Sequence, residues 1–295
     1  FYALSGVHVL SIVSYQTDRQ LKVGISELCR LFYSVSNFRL FNISIFFKRV
    51  FLILALVAFS SHSSANESKK LIGEVTKMYM SSMVYIFKNQ PLINGESIDK
   101  TELQGEKFIN NISRVYQATY NEPFPKSDHY IKRVLIETMV EVMADNIPLL
   151  HDNEISFKGI IPATFAFQLS AKLATKGIGL KIKFTRTRDS IRNVLNTPDE
   201  WESSVMQKII KEPQVFYDDN AFINNKPAFR QFTPLPMARY CLACHGTPAE
   251  NPLNFGKEQK DWTTYDMTGF KMEGWSIDDF GGGVSISIEK GVLLK

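Results

Sequence analysis

The amino-acid sequence predicts an α+β fold, with helices in the first half of the chain and strands in the second. Apolar residues recur at helical spacing as far as about residue 144. Beyond Gly177, residues 180–185 and 284–288 alternate apolar and polar side chains, which is typical of strands. Turn-forming residues separate these segments. Helices followed by antiparallel strands indicate a domain in which helices cover one face of a sheet.

Composition and charge favour an ordinary globular domain and give no reason to expect a nucleic-acid partner. The 295 residues are 44% hydrophobic and 12% aromatic, enough to form a sizeable core. The net charge of +4 comes from residues 1–65, which carry six basic and two acidic residues; the rest has 28 of each, out of 34 and 30 in the whole chain. A body without net charge lacks the electrostatic attraction for polyanions.

Residues 48–65 have the pattern of a cleaved secretory signal. Lys48 and Arg49 precede ten apolar residues, 50–59, and small residues occupy 63–65, where cleavage would occur. Ten apolar residues are too few to cross a bilayer, which needs about 20, so we expect cleavage rather than a membrane anchor. The mature protein would then be periplasmic and not integral to the membrane.

Residues 1–47 precede this signal and contain no methionine; the first methionine of the chain is Met78. Because a signal normally stands at the start of a protein, we interpret 1–47 as translated upstream sequence outside the fold, with the true start near residues 40–47. Cys29 lies in this segment and is left out with it. Two cysteines then remain in the chain.

Residues 66–158 are predicted to form an N-terminal helical portion. Its helices are expected at 66–87, at 105–120, and from a cap at Ser127 or Asp128 to about Ala144, with Pro148 ending the third. Most methionines on these helices are expected in the core, because methionine fills gaps in packed interiors.

Residues 159–295 are predicted to form a second portion of the same domain. A helix over 162–176 is bracketed by Pro162 and Gly177. A half-buried strand follows at 180–185.

The later elements follow from capping and alternation. Thr197 is predicted to cap a helix, with Pro198 and Glu200 in its first turn. The segments QVFYDD and PAFRQFTPL are predicted to pair as strands. In GGGVSISIEK, alternation predicts a last strand with Ser285 and Ser287 on an exposed face.

The segment RYCLACHG, residues 239–246, contains the pattern Cys-x-x-Cys-His. Covalent c-type haem needs two thiols at this spacing for its vinyl groups and an adjacent imidazole for its iron. Cys241 and Cys244 would attach one haem c, and His245 would be the proximal iron ligand. The export signal agrees with this interpretation, because bacterial c-type haem is attached outside the cytoplasmic membrane.

Other interpretations of the two cysteines stay open. A structural zinc site would need two further ligands, and 66–295 contains no third cysteine. A dithiol of the thioredoxin type normally opens a helix within a βαβ unit, whereas this motif follows a strand end interrupted by proline. A periplasmic disulfide is the main alternative, and it would make the chain a colourless, non-haem binding domain.

Three segments of the second half occur in a familiar order. They are IRNVLNTPDEWE at 191–202, PLPMARYCLACHG at 234–246 and GFKMEGWSIDDFGGGVSISI at 269–288. Together they resemble the Tll0287-like family of haem c domains, although Val194 stands where that family usually has proline. The resemblance implies a PAS-like α+β domain with N-terminal helices and one covalently bound haem c. Family members occur alone or attached to membrane-spanning signalling proteins. A member that occurs alone and acts as a sensor would need a partner to pass on its signal.

The resemblance leaves the sixth ligand of the iron open. Members of the family differ, and some use a cysteine from the N-terminal helices, which 66–158 lacks. The candidates are water and six side chains: Met80, Met83, Met139, Met143, His129 and His151. A thioether ligand would raise the reduction potential and block small ligands, whereas an open position would admit CO or NO.

Arg192, Arg230 and Arg239 are candidates to pair with the haem propionates, because a guanidinium group matches a carboxylate with two parallel hydrogen bonds. An ordinary surface charge is the alternative for each. The three tryptophans are expected in the core or along a haem pocket.

The sequence therefore predicts a periplasmic protein with one haem c that acts in electron transfer or in redox or gas sensing. Its partner would be a redox or signalling protein, and a homodimer is compatible with the sequence. An enzyme of the haem peroxidase type is the alternative, but no segment presents the distal base and arginine that such an enzyme needs. Stable six-coordinate iron would indicate a carrier, and a ligand switch or CO binding would indicate a sensor.

Overall fold

The computed structural model describes residues 66–96, 98–125 and 128–292. The predicted signal at 48–65, the predicted upstream segment 1–47 and Cys29 lie outside the described residues. The predicted α+β class is confirmed, since helices dominate as far as Thr175 and an antiparallel sheet follows.

Helices form the N-terminal part of the described chain. They are α1 (66–88), α2 (Gln90–Asn94), α3 (Gly105–Tyr120), α4 (Tyr130–Asp145), α5 (Ile147–Leu150) and α6 (Pro162–Thr175). Both ends of α3 agree with the prediction, and Asn121 ends this helix in the left-handed conformation. Across 66–96, 98–125 and 128–292, every helix is too short or too polar to cross a bilayer.

The start of α4 differs from the prediction. His129, rather than Ser127 or Asp128, is the N-cap, and its Nδ1 accepts a hydrogen bond from the Ile131 amide at 3.2 Å. The imidazole nitrogen thus satisfies a free helix amide, the role usually taken by a side-chain oxygen. Pro148 stands in the first turn of α5, where the missing N–H of proline costs no helical hydrogen bond.

Among the described residues, four antiparallel strands form one sheet. They are β1 (Leu180–Thr185), β2 (Phe216–Ile223), β3 (Lys226–Pro236) and β4 (Phe280–Glu289), in the spatial order β1-β4-β3-β2. The central strand is therefore β4, in which Ile286 pairs with Ile182 of β1 and with Gln231 of β3. In the hairpin of β2 and β3, Asn224 and Asn225 both have positive φ, as a two-residue turn of this kind requires.

One face of the sheet packs against the helices to form the main core. Ile182 and Ile286 of the sheet and Phe165 of α6 belong to this cluster and are fully buried. Each such side chain contributes about 1.5–3 kcal/mol when buried. Gln231 Nε2 also donates a buried hydrogen bond to Thr76 Oγ1 at 3.0 Å. This bond joins β3 to α1.

The opposite face of the sheet is buried as well, so the prediction of an exposed face on β4 is wrong. Ser285 and Ser287 are each 2% exposed. The helix α7 (Glu200–Ile209) covers this face, and its apolar residues pack on the sheet: Val205, Met206 and Ile209 against Phe232. The polar residues of β4 are small serines that lie beneath a second packed layer. Their alternation with apolar residues therefore does not indicate exposure to solvent.

The helix α7 begins two residues later than predicted. Asp199, not Thr197, is its N-cap: the Asp199 carboxylate accepts the Glu202 amide at 2.8 Å, and the Glu202 carboxylate accepts the Asp199 amide at 2.8 Å. Thr197 instead donates its hydroxyl to the Val194 carbonyl at 2.6 Å. Thr197 and Asp199 can both cap a helix, and the reciprocal hydrogen bonds between Asp199 and Glu202 favour Asp199.

The run Gly281–Gly283 allows the start of β4 to lie close to β1 and β3. Gly282 has φ +99°, and a Cβ there would lie 2.4 Å from the Thr185 carbonyl oxygen. We expect Gly282→Ala to lower the free energy of unfolding by about 1–3 kcal/mol, because the backbone conformation is strained for alanine. Gly291→Ala is the matched control, since its Cβ would meet nothing within 4 Å. Equal urea midpoints for the two variants would contradict this prediction.

Candidate functional site

The Cys-x-x-Cys-His motif lies directly after β3. Two backbone hydrogen bonds of 2.8 Å join the end of this strand to the loop before β4: Met237 N donates to the Asp279 carbonyl, and Asp278 N donates to the Met237 carbonyl. A 3₁₀ turn, Arg239–Cys241, then leads into the short helix α8 (Leu242–His245), whose first residue is buried. The two cysteines and the histidine therefore lie on one continuous helical segment.

The two cysteines are free thiols, each partly exposed. Their spacing of three residues puts both on one side of the helical segment. Burial raises the pKa of both thiols, and that of Cys244 reaches about 11. A reactive dithiol has a lowered pKa instead. Within the described residues, no three His, Cys, Asp or Glu side chains are grouped to hold a metal ion, so neither a redox dithiol nor a zinc site is favoured.

The His245 ring is held by two side chains. Its Nδ1 lies 2.9 Å from Glu273 Oε2, and its face stacks on Trp275 with ring centroids 5.2 Å apart and planes at 12°. Backbone bonds support this contact: the Trp275 amide donates to the His245 carbonyl at 2.9 Å, and the Gly274 amide to the Gly246 carbonyl at 3.1 Å. In the part of the chain that the structure describes, Nε2 has no hydrogen-bond partner, so this nitrogen is available to a ligand.

Arg192 holds Glu273 as a carboxylate. Its Nε donates to Glu273 Oε1 at 2.8 Å and its Nη2 to Oε2 at 2.7 Å, a bidentate arrangement. Burial opposes the ionisation of Glu273, but hydrogen bonds from His245 and Arg192 outweigh it and lower the pKa of Glu273 to about 2. Arg192 also donates to Asp266 Oδ2 at 2.6 Å and to the Cys244 carbonyl at 3.0 Å. One arginine therefore joins the carboxylate beside His245 to the backbone of the motif.

Arg186 completes this group of side chains. Its Cζ lies 3.6 Å from the centroid of the Trp275 ring, and its Nη1 lies 3.6 Å from Glu273 Oε1. Burial lowers the pKa of Arg186 to about 10, which leaves the guanidinium charged at neutral pH. A cation over an indole contributes about 0.5–2 kcal/mol, more when it is buried. Arg186 therefore stabilises the position of Trp275 against the histidine.

These residues lie in a region that matches a known protein family. The sequence matches the Tll0287-like family model over residues 97–289, more than half of the chain. The chain belongs to the Tll0287-like family. The family predicted from three sequence segments is thus confirmed. Among solved structures, the crystal structure of the cyanobacterial heme-protein Tll0287 shares 15% identity with this chain, covering 53% of it and 93% of that chain, with a TM-score of 0.32. No curated protein matches this chain.

The three arginines predicted to bind haem propionates have different environments in this Tll0287-like chain. Arg192 lies at the motif but already pairs with two protein carboxylates. Arg230 is 3% exposed and pairs with Asp199 at 2.8 Å and Glu202 at 3.3 Å. Internal carboxylates therefore already pair with this guanidinium, and its role with a propionate stays a prediction. Arg239 is exposed, and its guanidinium has no partner among the described residues.

Sequence reasoning does not identify Glu273 or Arg186 as residues of the site. Glu273 lies 28 positions after His245 and Arg186 lies 59 positions before it, so no local spacing links them to the motif. Glu273 lies in segment 269–288, which resembles the family, and this resemblance was the one sequence feature that could have drawn attention to it. Arg186 follows β1 directly, and only the pairing of β1 with β4 brings it to the loop before β4.

The predicted distal candidates divide into two groups. Phe87 of α1 stacks on Tyr240, the residue directly before the motif, with ring centroids 4.2 Å apart and planes at 29°. Met80 and Met83 precede Phe87 by seven and four residues, so they share its face of α1. The other candidates lie elsewhere: Met139 and Met143 are fully buried in α4, His129 caps α4, and His151 is exposed at the end of α5. The helix face that carries Phe87 therefore also carries Met80, which is partly buried, and Met83, which is 8% exposed and belongs to the main core.

Large apolar side chains are exposed on the segments that contribute residues to the site. Val194, Leu195, Phe270 and Tyr240 are between 43% and 76% exposed. Phe270 lies against Arg192, with 5.4 Å between the ring centroid and the guanidinium carbon. Exposed apolar patches mark binding surfaces, and these side chains are candidates for one.

Proposed function

We propose that Cys241 and Cys244 attach one haem c through thioether bonds, with His245 Nε2 as the proximal iron ligand. The observation that carries this proposal is the His245 ring, whose Nδ1 faces Glu273 while Nε2 is available directly after two free thiols. Family membership supports it, because the family shares its name with Tll0287, which is described as a heme-protein. When bound, the haem supplies a one-electron iron couple.

The residues of the chain would hold this group in different ways. The cysteines would fix its edge, and Trp275 with Glu273 would keep the imidazole in one orientation. We assign Arg239 to a propionate, because its exposed guanidinium is without a partner in the described chain. Val194, Leu195 and Phe270 would cover apolar surface of the ring system.

We also propose that the domain is PAS-like and that the protein works in the periplasm, in electron transfer or in redox or gas sensing. The antiparallel sheet, one face of which packs against the N-terminal helices, supports a PAS-like arrangement. The signal pattern of residues 48–65 supports export, which covalent attachment of haem c requires.

Peroxidase activity is a weaker candidate. A peroxidase places a base and an arginine over the iron. The helix α1, whose Phe87 contacts Tyr240 directly before the motif, contains neither histidine nor arginine over residues 66–88. We therefore expect slow spectral reaction with peroxide and no turnover.

The test of haem attachment is the visible spectrum of the full chain, produced together with the c-type maturation machinery. We expect a sharp α-band after reduction with dithionite and haem that stays bound after denaturation, because thioether bonds survive unfolding. A colourless protein, under conditions that mature a control cytochrome, would overturn the proposal and favour a disulfide-containing binding domain.

The distal position is tested with CO. We expect Met80 or Met83 to occupy it, so that reduced wild-type protein resists CO and the variant Met80→Ala/Met83→Ala binds it fully. Met267→Ala is the control, since Met267 is an exposed methionine outside α1. Complete CO binding by the wild type would contradict methionine ligation and indicate a gas sensor, whereas resistance to CO indicates a carrier.

A further inference from the structure

The hydrogen-bond acceptor of His245 Nδ1 is a charged carboxylate. A metal-bound histidine usually donates its second ring N–H to a carboxylate, a backbone carbonyl or water, and this partner sets the basicity of the ligand. Here the acceptor is Glu273 Oε2 at 2.9 Å. The choice between a charged and a neutral acceptor affects how strongly the imidazole donates electrons.

Resting on the haem attachment proposed above, we propose that Glu273 is a positioning residue that fixes the His245 tautomer and lowers the reduction potential of the haem. An ionised carboxylate only accepts hydrogen bonds. The proton of a neutral His245 ring must then lie on Nδ1, which would leave the lone pair of Nε2 to bind the iron. A more electron-rich imidazole stabilises ferric over ferrous iron, so the potential falls.

The surroundings of Glu273 keep it in this role. Arg192 binds both of its oxygens, and Arg192 is in turn bound by Asp266, whose side chain is fully buried. The same guanidinium reaches the Cys244 carbonyl at 3.0 Å. The carboxylate is therefore tied to the helical segment that carries its histidine, and the two cannot separate without breaking several charge-assisted hydrogen bonds.

The hydrogen bond and the net charge of this cluster make different contributions. Arg186 and Arg192 carry two positive charges, and Glu273 and Asp266 carry two negative ones. These formal charges sum to zero, so we expect the cluster as a whole to add little net charge beside the proposed haem. The effect of Glu273 must then pass through its hydrogen bond to His245. Asp266 provides a matched comparison, because it has the same charge and the same arginine partner but no contact with the ring.

The first measurement needs no haem. In the variant Cys241→Ser/Cys244→Ser, nitrogen NMR at a pH of about 9, where imidazoles are neutral, reports the tautomer of His245. We expect the proton on Nδ1, and a shift of the proton to Nε2 in the same protein with Glu273→Ala. A proton on Nε2 in the parent would overturn the inference whether or not the wild-type chain binds haem.

The second measurement is the reduction potential of the haem-loaded full chain. At a fixed ambient potential, we expect Glu273→Gln to raise the ratio of reduced to oxidised haem about tenfold, equivalent to about 59 mV for one electron. Asp266→Asn should change it much less. If both variants raised the ratio of reduced to oxidised haem equally, the effect would come from charge alone. If Glu273→Gln left the ratio unchanged, there would be no effect of Glu273 on the potential. Either result overturns the inference. A colourless wild type with the expected tautomer would instead reject only the proposed function.

Discussion

Replacing Cys241 and Cys244 together by alanine should abolish covalently bound haem. The two thiols are free, partly exposed and on one side of a helical segment, and no other cysteine follows residue 29. Without thioether bonds, haem could bind only through His245 and apolar contacts, and denaturation would release it. The measurement is haem staining after denaturing electrophoresis, where the double variant should show no signal.

Two further variants sharpen this result. Cys29→Ala is the matched control, because Cys29 stands outside the Cys-x-x-Cys-His motif, and it should retain the full haem signal. Either single variant, at Cys241 or at Cys244, should keep one thioether bond and therefore some haem after denaturation. Retention of haem by the double variant, or its loss in Cys29→Ala, would refute the assignment of the attachment residues.

The second large effect is expected on stability. Arg230→Met should lower the free energy of unfolding by about 3–5 kcal/mol, because removing one partner of a buried ion pair leaves a charge uncompensated. Arg230 binds Asp199 and Glu202 beneath α7, where Glu202 is 2% exposed. Lys183 also pairs with Glu202, at 2.5 Å, which places the expected loss at the lower end of this range. Urea denaturation at pH 7 measures it.

Arg239→Met is the control for Arg230→Met, since Arg239 is exposed and its guanidinium is unpaired in the described part of the chain. Its free energy of unfolding should change by less than about 0.5 kcal/mol. Similar losses in both variants would show that the ion pair under α7 is unimportant. A loss confined to Arg230→Met would support its role in holding α7 on the sheet.

The same ion pair predicts a pH dependence. Burial raises the pKa of Asp199, but hydrogen bonds from the Glu202 amide and from Arg230 outweigh it and hold the pKa below its usual range. A carboxylate with a depressed folded-state pKa stabilises the fold above its ordinary pKa of about 3.9, and this stability is lost as the pH falls through the lower value. The difference between the wild type and Arg230→Met should therefore shrink between pH 7 and pH 3.

Local signals explain how much of the fold was predictable. Gly105–Tyr120 and Pro162–Thr175 agree with the prediction to within a residue at each end, because capping and breaking residues act within a single turn. The exposed face predicted for β4 failed for a non-local reason. Alternation shows that Ser285 and Ser287 share a face but cannot show that α7, eighty residues earlier, covers that face.

The residues of the candidate site also divide into those indicated by local spacing and those that only the fold brings together. Cys241, Cys244 and His245 stand out in the sequence because the spacing that a c-type haem needs is contained in five residues, and their role stays a prediction. The carboxylate on His245 and the cation on Trp275 come from separate loops that only the assembled sheet brings together. The pairing of Arg230 depends on the fold in the same way: its residue type suits a propionate, but only the structure shows its ion pair with Asp199 at the start of α7.

In the proposed haem site, the contact of Arg186 with Trp275 would affect the route by which electrons reach the iron. An indole stacked on an iron ligand is a natural intermediate carrier, because it can lose an electron and recover it. A fixed positive charge 3.6 Å from the ring makes that loss harder, since an oxidised indole would repel the cation that the neutral ring attracts. We therefore expect Trp275 to resist oxidation, and electrons to reach the proposed haem without passing through its indole.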